Sequence, residues 1–149
     1  MKVHEACSRP PVCCTADATV AEAAHLMRAQ HVGAIVVTKA SKHGDKPIGI
    51  LTDRDITVSV VAPQLDPTTI TAGDIAQRQL VGAEENDDLF AALKRMRAKG
   101  VRRLPVIDAK GNVSGLLAMD DIIEVLVDEM NEIVKLVARE QSKEVVARQ

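Results

Sequence analysis

The sequence predicts an α/β (α+β) fold made of two tandem β-α-β-β-α units followed by a C-terminal helix. Three observations carry this prediction: an internal repeat, a helical spacing of apolar residues in each copy, and two short β-rich runs after each helix. The composition is globular, with 46% hydrophobic and 27% charged residues in 149 positions. This length suits one compact domain or two small ones.

The internal repeat aligns residues 19–37 with residues 88–106 without a gap. Both copies close their apolar stripe with Met-Arg-Ala, and both later reach an Asp-Ile pair, at Asp55 and at Asp121. Self-similarity of this kind indicates one structural unit used twice. We therefore expect the same elements in the same order in both copies.

Each copy predicts a helix, two strands and a second helix. The first helix has Val20, Ala23 and Met27 at helical spacing, and Thr19 and Glu22 are placed to form a capping box before it. Two β-rich runs follow each first helix, joined by a turn. These runs are residues 34–37 and 48–51 in the first copy, with a loop over residues 39–46, and residues 104–107 and 113–117 in the second.

A connector with two prolines, over residues 62–69, separates the copies and leads to a short capped turn at residues 71–76. The predicted organisation is a first unit over residues 1–67, a second over residues 68–127, and a C-terminal helix and tail over residues 128–149.

The paired units resemble a CBS domain pair, also called a Bateman module, of the stand-alone bacterial type. The matching strings are VGAIVV at residues 32–37 and VRRLPVID at residues 101–108, then GILTDRD at residues 49–55 and GLLAMDD at residues 115–121. The resemblance implies pseudo-twofold packing with clefts for adenosyl ligands such as AMP, ADP, ATP, NAD or S-adenosylmethionine. It implies a regulatory nucleotide sensor and not an enzyme.

The family's ribose-binding pattern is glycine, two apolar residues, Thr or Ser, two variable residues and Asp. Gly49, Thr52 and Asp55 fit this pattern. A carboxylate accepts hydrogen bonds from ribose hydroxyls, and a threonine hydroxyl both donates and accepts. The alternative is local, because Thr-x-x-Asp before a helix is also close to a capping box and Gly49 could mark a simple bulge.

Three arginines are candidates for phosphate contacts. Arg54 lies inside the motif, and the resemblance implies that Arg102 and Arg103 reach the same cleft from the second unit, where guanidinium groups favour phosphate. Solvated surface arginines are the alternative.

The second motif departs from the pattern. Ala118 and Met119 replace the threonine and its neighbour, so that only Asp121 is left to hold ribose. Gly33 and Ala34 stand where the other unit has Arg102 and Arg103. We expect one well-equipped cleft and a second cleft that is weak or empty.

The resemblance places an adenine ring between residues 12–15 and residues 33–36, with Val12 and Ile35 as contacts. Both positions would be buried core in any α/β unit, which is the alternative.

Other classes of function lack support in the sequence. The net charge of −2 and the single aromatic residue, Phe90, argue against nucleic-acid binding. No segment resembles a signal peptide or a membrane span, so a cytoplasmic protein is expected. The four histidines and three cysteines show no catalytic, zinc or disulfide spacing, and Cys13 and Cys14 are expected to be buried thiols and not redox groups.

The last helix carries apolar residues three and four positions apart: Ile123, Leu126, Met130, Ile133 and Val137. This seam favours a homodimer contact, and its alternative is packing on its own domain. The polar tail from Ala138 is expected to fray. An effector protein of unknown identity would read the ligand signal; the competing hypothesis is a structural dimerisation or docking module with vestigial clefts, and a nucleotide hydrolase comes third.

Overall fold

The computed structural model describes residues 1–77 and 80–147. Its strands are β1 (Cys13–Thr15), β2 (Ala34–Ser41), β3 (Gly44–Thr52), β4 (Ala83–Glu84), β5 (Arg103–Ile107) and β6 (Val113–Ala118). They form two three-stranded sheets, ordered β1-β2-β3 and β4-β5-β6. The first pair of strands in each sheet, β1–β2 and β4–β5, is parallel, and the second pair, β2–β3 and β5–β6, is antiparallel. The predicted α/β fold is confirmed.

A helix connects the parallel strands in each unit, and another follows the last strand. The helices are α1 (Val3–Ala6), α2 (Val20–Gln30), α3 (Asp53–Ile56), which continues as a π-helical segment Thr57–Val61, α4 (Ala72–Ile75), α5 (Leu89–Lys99) and α6 (Met119–Ala147).

The long helices begin where side chains cap them. The Glu22 amide donates to Thr19 Oγ1 over 3.1 Å and the Glu22 carboxylate accepts from the Thr19 amide over 2.7 Å, which confirms the predicted capping box. In the second unit Asp88 takes this role, accepting from the Ala91 amide over 3.0 Å. The caps satisfy backbone donors that have no partner inside the helix.

The loop predicted for residues 39–46 is wrong, because β2 and β3 form one long hairpin. Lys39 pairs with Lys46, and Ser41 pairs with Gly44 at the tip. Gly44 has a φ of 122°, which a residue with a side chain rarely adopts. The Ser41 hydroxyl also donates to the Gly44 carbonyl over 2.7 Å, so the turn closes tightly.

The predicted fraying of the tail is also wrong, because α6 runs without a break to Ala147. Helix-forming residues fill this segment, and Lys135 donates to Glu132 one turn away over 2.6 Å. The predicted boundary after residue 127 therefore falls inside a helix, and residues 148–149 of the predicted tail lie outside the described residues.

Two short segments cross between the units, and we call residues 1–8 and 71–77 the crossing segments. Val3 of the first crossing segment has no exposed surface and belongs to the core of the second unit, with Leu89, Leu104 and Leu117. The Val3 amide donates to the Asp87 carbonyl over 3.0 Å. The first residues of the chain therefore pack in the second unit, although the other residues of that unit come later in the sequence.

The second crossing segment packs on the first unit in the corresponding way. Ala72 and Ala76 join the core that contains Ile35 and Leu51. The Ala72 amide donates to the Ala18 carbonyl over 2.7 Å. Each core is thus completed by a segment that lies next to the other unit in sequence.

Strand β1 contains two adjacent free cysteines, both half-buried. Burial, followed by the charge of Asp45 and then by Cys14, raises the pKa of Cys13 to about 11. Burial also raises the pKa of Cys14. Since the thiolate is the reactive species, these positions favour inert thiols.

We expect Val3→Ala to lower the free energy of unfolding by about 1–3 kcal/mol, because it removes buried methyl groups from the second core. Urea unfolding measures this loss. Val58→Ala is the matched control, since Val58 is 56% exposed and its loss should have little effect. Equal effects of the two substitutions would show that the first crossing segment does not stabilise the second unit.

Alkylation of Cys13 by iodoacetamide at pH 8 should be about a hundredfold slower in the folded protein than in urea, because a thiol with a raised pKa is scarcely ionised. Mass spectrometry of quenched time points gives the rate at each cysteine. Similar rates in the folded and unfolded states would contradict the burial of this thiol.

Candidate functional site

A cavity of about 500 Å³ lies where the two units meet. Its wall combines the end of β3 and the start of α3 from the first unit with the start of β5 from the second. The lining residues are Ile50, Thr52, Asp53, Arg54, Asp55, Gln77, Leu80, Val81, Gly100, Val101, Arg102 and Arg103.

Thr52 and Asp55 form a complete capping box at the start of α3. The Asp55 amide donates to Thr52 Oγ1 over 3.1 Å. Asp55 Oδ2 accepts from the Thr52 amide over 2.9 Å and from the Thr52 hydroxyl over 2.8 Å. The local alternative to ligand binding is therefore present, and it fixes both side chains at the cavity wall.

The other oxygen of the same carboxylate faces the second crossing segment. Asp55 Oδ1 accepts from Gln77 Nε2 over 3.2 Å. A carboxylate has about four acceptor positions, and three of them are used here. One position stays open on Oδ1, and displacement of Gln77 would open a second.

Gly49 does not line the cavity, yet its lack of a side chain shapes it. A Cβ at Gly49 would lie 2.9 Å from the Gln77 carbonyl oxygen and 3.1 Å from Ala76 Cβ. The pairing register of β2 and β3 also shifts beside Gly49. The crossing segment therefore approaches the backbone closely at Gly49, next to the bulge that the sequence analysis gave as the alternative.

Three arginines lie at this cavity. Arg54 and Arg102 are exposed and Arg103 is half-buried. In the described ranges, residues 1–77 and 80–147, none of the three forms an ion pair with a carboxylate. With Asp53 and Asp55 in the same wall, the lining carries a formal excess of one positive charge.

Val12 and Ile35 lie elsewhere. Ile35 has no exposed surface and sits in the core of the first unit, with Val12 packed against the same core. The counterpart of Val12 in the second unit is Val81, because Cys14 and Ala83 hold corresponding places in the two parallel ladders. Val81 does line the cavity.

The corresponding position on the other side of the module is poorer in polar groups. Asp121 accepts from the Ala118 amide over 2.7 Å, but Ala118 has no hydroxyl to complete a box. Burial raises the pKa of Asp121, against the effect of that hydrogen bond, and Glu124 and Asp120 add to the rise. Additional negative charge is therefore disfavoured beside Asp121.

Sequence reasoning missed Gln77, Leu80 and Val81. They follow the connector, where neither helical nor strand periodicity gives a signal. Their position depends on the crossing of the second segment onto β3, where Gln77 bridges to Ile50. The internal repeat held one usable signal, since Val81 occupies the place of Val12.

No three histidine, cysteine, aspartate or glutamate side chains in the described part of the chain are grouped so that they could hold a metal ion. No helix within it combines the length and the apolar character that a membrane span requires.

Solved structures with a similar fold contain pairs of the same unit. A CBS domain protein from Pyrobaculum aerophilum complexed with AMP matches with a TM-score of 0.72 and 28% identity, covering 81% of this chain and 89% of that one. Hypoxic Response Protein I with two coordinated zinc ions matches with a TM-score of 0.71 and 29% identity, covering 83% and 98%. The CBS domain pair of protein MJ0100 with 5′-methylthioadenosine and S-adenosyl-L-methionine has a TM-score of 0.74 at 22% identity, covering 87% and 98%.

Sequence relatives agree with the structural similarity. Hypoxic response protein 1 of Mycobacterium tuberculosis is 35% identical over 104 residues, which is 70% of each chain. Protein MK0525 of Methanopyrus kandleri is 34% identical over 125 residues, 84% of this chain, but the match spans only 62% of that protein. The sequence model of the CBS domain matches residues 3–61 and 72–128. The chain belongs to the CBS domain family and contains a pair of these domains.

Proposed function

We propose that the chain is a regulatory module that binds a phosphorylated adenosyl ligand in the cavity between its units, with AMP the best fit. One juxtaposition carries the proposal: the Thr52–Asp55 box of the first unit lies across the cavity from Arg102 and Arg103 of the second. The similar Pyrobaculum aerophilum protein, complexed with AMP, supports a ligand of this class. ADP, ATP and NAD share the same groups and are the other candidates.

Ribose binds at Asp55. The open acceptor position on Asp55 Oδ1 takes one ribose hydroxyl, and displacement of Gln77 makes room for the other. Thr52 holds the carboxylate in place through its amide and its hydroxyl. The capping role and the ligand role are thus compatible, because the cap uses mainly the oxygen that faces away from Gln77.

Phosphate binds to the arginines. Arg54, Arg102 and Arg103 have no carboxylate partners among the described residues, so a phosphate does not need to displace one. Guanidinium groups bind phosphate oxygens in a bidentate manner. This favours a phosphorylated adenosine over 5′-methylthioadenosine, which has no phosphate.

Adenine packs against the apolar part of the same wall, formed by Ile50, Leu80, Val81 and Val101. This assignment replaces Val12 and Ile35, since Ile35 is fully buried in the first core. The second cleft, with Asp121 and no arginine pair, is weak or empty in this proposal.

The ligand acts by bridging the units. Because its ribose and phosphate contacts come from different units, binding favours one arrangement of the pair over others, to the extent that the affinities for those arrangements differ. CBS pairs are in general regulatory modules without catalytic activity. The output passes to an effector protein or to an oligomer of the chain, in the cytoplasm.

AMP should raise the thermal stability of the protein, and Thr52→Ala/Asp55→Ala should abolish that rise. Ligand at about a hundredfold its Kd adds about 2.7 kcal/mol to the free energy of unfolding. Differential scanning fluorimetry with AMP, ADP, ATP, NAD and S-adenosylmethionine in parallel ranks the ligands, and calorimetric titration should give one strong site per chain.

The matched control for this double substitution is Thr19→Ala/Glu22→Ala, which removes the capping box of α2 away from the cavity. This variant should lose stability but keep its response to AMP. A response to none of the five ligands at millimolar concentration would overturn the proposal. The better account would then be a structural dimerisation or docking module with vestigial clefts.

Arg102→Ala/Arg103→Ala should weaken AMP binding by about ten- to hundredfold, because hydrogen bonds to charged groups are lost. Binding of 5′-methylthioadenosine, which lacks the phosphate, should change little. Arg97→Ala is the control, since Arg97 is exposed on α5 and does not line the cavity. An equal loss for both ligands would place the arginines outside the phosphate site.

A further inference from the structure

Gln77 lies in the wall of the cavity between the units, and its side chain contacts the carboxylate that we assign to ribose. Gln77 Nε2 donates to Asp55 Oδ1 over 3.2 Å. The backbone of Gln77 is held separately, because its amide donates to the Ile50 carbonyl over 3.0 Å. Since Gln77 is exposed, its side chain can turn away from Asp55 while the backbone stays in place.

The hydrogen bond from Gln77 is of a kind that a ligand hydroxyl can replace. Its length of 3.2 Å is at the long end of the range for an N–H donor, whereas charge-assisted hydrogen bonds are commonly about 2.7–2.9 Å long. A hydroxyl donor approaches an oxygen acceptor to about 2.5–3.0 Å. A ribose hydroxyl can therefore take the place of the Gln77 amide at Asp55 Oδ1.

The other oxygen of Asp55 is already committed to the cap of α3. Thr52 donates to Asp55 Oδ2 through its amide over 2.9 Å and through its hydroxyl over 2.8 Å. Ligand binding is thus left to Oδ1, which has two acceptor positions. Gln77 uses one of these positions. The two neighbouring hydroxyls of a ribose can both bind Oδ1 only when Gln77 has left it.

Core packing of a crossing segment does not by itself require a long amide side chain at this place. Ser8 holds the corresponding place in the first crossing segment, since both residues form a bridge to an edge strand of their host sheet. The serine side chain is much shorter than that of Gln77. Asp121, the counterpart of Asp55, accepts from the Ala118 amide. The long amide therefore stands beside the carboxylate of the better equipped cavity.

We propose, on the basis of the proposed function, that Gln77 is an internal competitor for the ribose of AMP. Its amide must leave Asp55 Oδ1 before the second ribose hydroxyl binds. Only the fraction of molecules in which this position is open is competent to bind both hydroxyls, and the apparent Kd rises by the reciprocal of that fraction. Gln77 thereby sets the ligand concentration at which the module responds.

Removal of the competing donor should tighten the binding of AMP. Gln77→Met keeps an unbranched side chain of similar length without the amide, and Gln77→Ala removes the side chain beyond Cβ. Both should lower the Kd for AMP by about three- to tenfold, which corresponds to the net contribution of one hydrogen bond. Isothermal titration calorimetry measures the Kd. The matched control is Gln30→Ala, exposed at the end of α2, which should leave the Kd unchanged.

AMP analogues that lack the 2′- or the 3′-hydroxyl test the cause of this gain. In the unmodified chain, the analogue without the displacing hydroxyl leaves Gln77 in place, so the loss of that hydroxyl costs little affinity. In Gln77→Met no amide replaces the missing hydroxyl, and the same loss should cost about three- to tenfold. One of the two deoxy analogues should therefore bind the unmodified chain and Gln77→Met with equal Kd.

The outcomes separate this competition from the proposed function. A Kd for AMP that is unchanged or higher in Gln77→Met would overturn the competition, while AMP binding that still depends on Thr52 and Asp55 would leave the proposed function standing. Equal tightening for AMP and for both deoxy analogues would also overturn it, because the gain would not depend on a hydroxyl. Failure of AMP to bind either the unmodified chain or Gln77→Met would overturn both.

Discussion

The reciprocal exchange of the two crossing segments is the interaction on which the rest of this structure depends. Each unit has a small sheet and few long helices, and its core is completed by a segment from beyond its own repeat, Val3 in one case and Ala72 in the other. Buried apolar area supplies most of the stability of such small units. Because each core needs a segment that lies beside the other unit in sequence, the units fold as a pair.

The exchange of the crossing segments explains why each motif has a glycine at this position. A Cβ at Gly115 would lie 2.8 Å from Cys7 Sγ and 3.2 Å from the Ser8 carbonyl, just as Gly49 faces the backbone at Gln77. Both glycines thus admit a crossing segment beside an edge strand of its host sheet, β3 in the first unit and β6 in the second. In the first unit this approach delivers Gln77 to Asp55, so the geometry of the proposed ribose position is a by-product of core packing.

The two sides of the pair differ although the backbone repeats. The difference lies in a few side chains: a hydroxyl at Thr52 against Ala118, and two arginines against Gly33 and Ala34. At the second helix start, burial, together with the charges of Glu124 and Asp120, raises the pKa of Asp121. Duplication therefore repeats the backbone at the two helix starts, while the side chains that it carries there differ.

The sequence by itself determined the repeated unit, the positions of most strands and helices, and the set of Thr52, Asp55, Arg54, Arg102 and Arg103 that the structure brings to one cavity. These features depend on local periodicity, capping chemistry and the match between the copies. It did not determine the length of the β2–β3 hairpin or the continuation of α6, because a turn at Gly44 and the persistence of a polar helix leave little trace in apolar spacing. Only the tertiary structure placed Gln77, Leu80 and Val81 at the cavity. Those positions follow from which unit each crossing segment packs on, and that choice is made by contacts between residues far apart in the chain.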